Sequence, residues 1–122
     1  MDDLQQEIDA KATAPRITPA AIEANIVSET YFTAADGAAW AYQCVPDESD
    51  PLHLLTFCVL TLKNGFTVTG ESACASPENF DAEIGRKVAR ENAINKIWPL
   101  MGYELKGRLH QIEQLRAQVG AA

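Results

Sequence analysis

The stretch His53-Leu54-Leu55-Thr56-Phe57-Cys58-Val59-Leu60-Thr61-Leu62-Lys63-Asn64-Gly65-Phe66-Thr67-Val68-Thr69-Gly70 decides the fold. Its first ten residues are rich in branched and aromatic side chains, which suit a pleated, half-buried strand. Asn64-Gly65 then favours a two-residue type I′ loop, because both turn residues need positive φ. That loop sets Lys63 opposite Phe66, Thr61 opposite Val68 and Val59 opposite Gly70. Phe57, Val59, Phe66 and Val68 then share one face, while Leu60, Leu62, Thr67 and Thr69 share the other. Neither face is fully polar, so the sheet is expected to pack on both sides, one of them against another subunit.

Upstream, Tyr31-Phe32-Thr33 and Ala39 to Val45 read as two short strands around the turn dipeptide Asp36-Gly37. Thr18-Pro19 starts a helix, with a capping hydroxyl and a proline suited to the first helical position. Ile22, Ile26 and Val27 line that helix, which is expected to end near Glu29. Residues 1–16 read as a flexible tail before a single domain over 17–122. Within the tail Leu4, Ile8 and Ala12 have helical spacing, against which stand Pro15 and an acidic bias. Downstream, Ser76-Pro77-Glu78 opens a helix that runs to Trp98, where Pro99 stops it. Phe80, Ile84, Val88, Ile94 and Trp98 gather on one side of it, with Lys87, Glu91 and Asn95 among them. Ala82, Ala89 and Ala93 make a second, flat side that lets a neighbouring backbone come close. After Gly102, the apolar stripe Leu105, Leu109, Ile112 and Val119 gives a last helix whose near-heptad spacing suits oligomeric packing. The expected class is α+β: an antiparallel hairpin sheet, two long C-terminal helices and a short N-terminal helix.

The chain has 122 residues, 47% hydrophobic and 22% charged, which suits one globular domain. No apolar run is long enough to span a membrane, and Met1-Asp2-Asp3 does not open a secretory signal. Three cysteines, none separated by only two residues, argue against a disulfide framework and a zinc site, so a reducing cytoplasm is expected. The net charge of −7 hides an asymmetry. Residues 1–85 hold three basic groups against fourteen acidic ones, and residues 86–122 hold seven basic against three acidic. A duplex-DNA binder is disfavoured, since such proteins neutralise phosphates with a dominant basic surface. A small anionic ligand near the C-terminal basic groups is compatible.

Catalytic parts are scarce. His53 and His110 have no ligand-spaced companion, and Cys58 sits mid-strand among apolar neighbours. Cys74 precedes a helix start, but Glu71, Glu78 and Asp81 oppose a thiolate there. No phosphate-cradling glycine loop is present. The expectation is a protein without enzymatic activity, cofactor or metal. Binding residues are more plentiful. Arg86 and Arg90 are suited to phosphate oxygens, Asn92 to ribose or base edges, and Phe80 or Tyr103 to a base face. Aromatics at this spacing also suit a core, and basic side chains a solvated helix face.

Leu60-Thr61-Leu62-Lys63-Asn64-Gly65-Phe66, Gly70-Glu71-Ser72-Ala73-Cys74, Asn79-Phe80-Asp81 with Glu83-Ile84-Gly85-Arg86-Lys87, and Ile97-Trp98-Pro99-Leu100 with Gly102-Tyr103-Glu104-Leu105 resemble a family of small phage and prophage accessory proteins, the gene-product forty-nine/sixty-six family. The resemblance covers roughly residues 18–109 and implies action inside an infected bacterial cell, in the host cytoplasm. The hairpin core followed by helices is also similar to phage Thoeris anti-defence proteins, which oligomerise and sequester cyclic nucleotide signals without cleaving them. That likeness implies a homo-oligomer with signal-binding roles for Phe80, Arg86, Arg90, Asn92 and Arg108. The arginines would neutralise phosphates. A competing expectation is an acidic inhibitor whose Asp47, Glu48 and Asp50 loop occupies a basic groove on a host defence protein, a nuclease or a CRISPR effector.

Overall fold

A computed structural model describes residues 2–11 and 13–121. Met1, and the Ala12 assigned to the apolar side of the tail, lie outside the described residues. Its elements are α1 (Asp2–Lys11), α2 (Pro19–Ala24), β1 (Ile26–Thr33), α3 (Ala34–Tyr42), β2 (Leu55–Leu62), β3 (Thr67–Ala73) and α4 (Ala82–Ala121). Short 3₁₀ turns occupy Pro51–Leu54 and Pro77–Asn79. The three strands form one antiparallel sheet in the order β1-β2-β3, and α4 lies across one face of it. The architecture is α+β, as expected.

The hairpin forms, but with a different loop. Leu62 N–H donates to the Phe66 carbonyl at 2.8 Å and Gly65 N–H to the Leu62 carbonyl at 2.9 Å. Among the described loop residues only Gly65 has positive φ, at 89°. Lys63, Asn64 and Gly65 therefore make a three-residue loop of the type that ends in a left-handed glycine, rather than a type I′ pair. The register moves by one residue, with Leu60 opposite Val68 and Cys58 opposite Gly70. A one-residue slip changes the face on which each residue of the second strand lies. Val68 accordingly joins Cys58, Leu60 and Leu62 in the core, and Thr67 and Thr69 join Phe57 and Val59 on the other face.

Upstream expectations change more. Thr18 caps α2 as read, its hydroxyl accepting from Ala21 N–H at 3.1 Å, and Ile22 is buried. The helix stops at Ala24, however, because Ile26 and Val27 belong to β1, which pairs along β2 after a bulge between Ile26 and Ser28. The expected strand from Ala39 to Val45 is instead α3 and the turn after it. Thr33 and Asp36 form a reciprocal capping box at its start: Asp36 N–H donates to the Thr33 hydroxyl at 3.1 Å, and Thr33 N–H to the Asp36 carboxylate at 2.9 Å. That cap and the alanines that follow outweigh the turn preference of Asp36-Gly37.

The two expected C-terminal helices are one. α4 begins at Ala82, with the Asp81 carboxylate accepting from Ile84 N–H at 3.0 Å, and it passes through Pro99 to Ala121. Pro99 removes a single N–H from the ladder, and the packed residues on both sides of it keep the helix continuous. The core face of α4 is the small-residue side. Gly85, Ala89, Ala93 and Ile97 are buried against the sheet, whereas Ile84 and Val88 are exposed. A Cβ on Gly70 would collide with the Ala89 carbonyl and the Ala93 backbone nitrogen, so glycine is what lets helix and strand touch. Ala82, assigned to the flat side, is exposed at the helix start.

Candidate binding cleft

The end of β1, the first turn of α3 and the start of α4 meet at one corner of the sheet. They enclose a cleft of about 140 Å³ lined by Tyr31, Thr33, Asp36, Thr56, Phe80 and Arg86, among others. Phe80 and Arg86, both singled out from the sequence, thus come together. Phe80 is half-buried in the segment that leads into α4, and Arg86 is exposed, with no ion pair among the described residues. A flat ring beside a free guanidinium can hold an aromatic base next to an anionic group. Asp36 adds the opposite charge, although one of its oxygens is already held by Thr33 N–H.

Arg90 points elsewhere. Its guanidinium donates to Glu23 at 2.7 and 3.0 Å and to Glu29 at 3.0 Å twice, tying α2, β1 and α4 together. These hydrogen bonds hold both carboxyls below their ordinary range, with Tyr31 O–H adding a 2.7 Å bond to Glu29. They also raise the pKa of Arg90, which stays cationic. With two carboxylates already on it, Arg90 is a structural tie. Asn92 donates to the Glu71 backbone carbonyl at 2.8 Å, fastening α4 to the edge strand β3.

Tyr103 and Arg108 lie on the second half of α4. Tyr103 is 85% exposed, and Arg108 stands 3.8 Å from Glu104. At 1.5 Å per residue, Arg108 is about 33 Å along the helix from Arg86, so one copy does not gather all six residues around one ligand. The thiols and histidines are likewise dispersed. Burial pushes the Cys58 thiol up. Cys74 Sγ lies 3.2 Å from the Ser76 carbonyl, and His53 Nε2 lies 3.2 Å from the Pro46 carbonyl. Among the described residues no group of three or more His, Cys, Asp or Glu could hold a metal ion. No helix there is long and apolar enough to cross a membrane.

One surface was missed by sequence reasoning. Trp40, Tyr42 and Val45 are 82, 80 and 76% exposed on and just after α3. They precede Asp47 in the chain, whose carboxyl is held low by hydrogen bonds from Ser49 N–H and Oγ. Reading this segment as a half-buried strand hid their exposure; on the helix Trp40 and Tyr42, two residues apart, point about 200° apart.

The family model of the phage protein (N4 Gp49/phage Sf6 gene 66) family matches residues 17–109. The chain belongs to this family. The match takes in the sheet, the cleft and α4 as far as Leu109. Neither the curated proteins nor the solved structures gave a match.

Proposed function

We propose that this phage-family protein binds a small anionic ligand of the nucleotide class, a cyclic nucleotide defence signal of the host cell, and sequesters it without cleaving it. The observation that carries the reading is the meeting of Phe80 and Arg86 in one cleft, an aromatic face beside an unpaired cation. Arg86 neutralises a phosphate and Phe80 packs on a base or ribose. The reading also draws on the dispersal of the thiols and histidines among the described residues.

Calorimetric titration with cyclic ADP-ribose isomers and a panel of cyclic di- and trinucleotides tests it. The expected result is tight binding with the ligand recovered intact on heating, and binding weakened roughly tenfold or more by Arg86→Ala, the scale of a lost charge-assisted hydrogen bond. Silence across the panel would sink the reading.

A second reading has its own observation. Trp40 and Tyr42 are exposed and are followed in the chain by the acidic Asp47, Glu48 and Asp50, the composition of a protein-binding hot spot with an acidic rim. A basic groove on a host defence protein would fit it. In that case counter-defence activity in infected cells falls with Trp40→Ala and survives Arg86→Ala.

A further inference from the structure

The sheet and core hold α4 only as far as Met101, and between Gly102 and Gly120 no residue of the helix is buried. That is about 28 Å of helix at 1.5 Å per residue. In proteins most helical stability comes from packing of an amphipathic face rather than from propensity. Along one flank, Val88, Trp98, Leu105, Leu109, Ile112 and Val119 fall on a stripe of positions spaced alternately by three and four. Glu91, Asn95, Gly102 and Arg116 fill the intervening positions of the same heptad stripe. Pro99 falls beside the stripe and not in it.

The two charges in the stripe fix what can cover it. Glu91 and Arg116 have no ion pair among the described residues. Parallel pairing of two copies would set Glu91 on Glu91 and Arg116 on Arg116, and like charges facing each other are unfavourable. Antiparallel pairing has one register that sets Glu91 against Arg116 of the partner subunit. The same register places Val88 against the partner's Val119, Asn95 against the partner's Ile112, Gly102 against the partner's Leu105, and the partner's Leu109 beside Trp98, which is itself partly buried against the core. A shift by one heptad instead faces Trp98 with arginine or Glu91 with leucine.

We propose that α4 pairs antiparallel with α4 of a second copy in this register, each contact occurring twice about a twofold axis. The partner helix then ends within about a turn of Arg86 along the axis, because its Val119 lies beside Val88, but on the flank turned away from Arg86, since residues two apart on a helix point about 200° apart. The pairing is argued from α4 alone and does not depend on nucleotide binding.

The test is the mass of the full chain by light scattering after size exclusion, at micromolar concentration and physiological salt. The natural sequence is expected at twice the 13.3 kDa chain mass or a multiple of that pair. Glu91→Arg and Arg116→Glu, each alone, should reduce the pair to single chains, with the helical circular dichroism of the body retained. Both changes in one chain should restore the pair, since the two charges are simply exchanged. A single-chain mass for the natural sequence would overturn the proposal and leave the stripe to another protein. So would a pair that survives either single reversal, or a doubly changed chain that stays single.

Discussion

Gly70 and Arg90 set the distance and angle at which α4 lies on the sheet. A side chain at position 70 meets helix backbone, which cannot rotate away as a side chain would. Gly70→Ala is therefore expected to cost about 1–3 kcal/mol, the usual range for overpacking and here toward its upper end. The midpoint of urea unfolding reads this directly. Arg90 acts from the other edge. Glu23 and Glu29 have folded-state pKa values below the ordinary 4.5, so the unfolded chain binds more protons in the acid range. Their contribution is fully present above about pH 4.5 and is lost as the pH falls through the lower, folded values. These groups are partly exposed, and such pairs are individually worth at most about 1 kcal/mol. Arg90→Gln should thus destabilise by about 1 kcal/mol at neutral pH. It should also flatten the fall of stability between pH 5 and pH 3, followed by unfolding at a series of pH values. An acid limb as steep as that of the natural sequence would contradict this role.

At the scale of elements, α4 is where local and tertiary preferences disagree. Pro99 lacks an N–H and stands on the exposed side of a continuous helix, so its cost is not offset by burial. Pro99→Ala is expected to stabilise the protein by roughly 1–3 kcal/mol, below the full difference between these residues in an isolated helix interior. Chemical denaturation checks it, and a destabilised variant would mean that the ring itself packs on something. The same element shows what can be read from sequence. Thr18, Asn64-Gly65 and the alanine side of α4 carry their meaning locally, through a capping hydroxyl, a required positive φ and the absence of bulk. The loop type was not local, because Asn-Gly serves both a two-residue and a three-residue turn, and the choice moved every face assignment on β3. α3 was missed because Thr33 and Asp36 cap each other only once the chain has turned into a helix there. Of the site residues, Phe80 and Arg86 lie within one motif and came together. Arg90 did not join them, since its glutamate partners are 61 and 67 residues away in the chain.

The whole molecule divides into a body, complete at about Met101, and a projecting helix that carries none of the core. Removal of residues 103–122 takes away no buried residue among those described, so the shortened chain should keep the sheet and its thermal midpoint within a few degrees. The cleft at the far corner of the sheet is untouched in its covalent parts. It encloses about 140 Å³, whereas pockets for whole small ligands run from about 300 Å³ upward. One copy therefore offers room for a base or a phosphate and not for a cyclic dinucleotide. If another part of a second copy supplies the remaining wall, the shortened chain should run at single-chain mass and bind the signal at least tenfold more weakly, although Phe80 and Arg86 are intact. Calorimetry on the shortened and full chains makes the comparison. Equal affinity would place the whole ligand within one body and leave α4's second half with an assembly role alone. Weak binding in a chain that still melts normally would make the site a property of the pair.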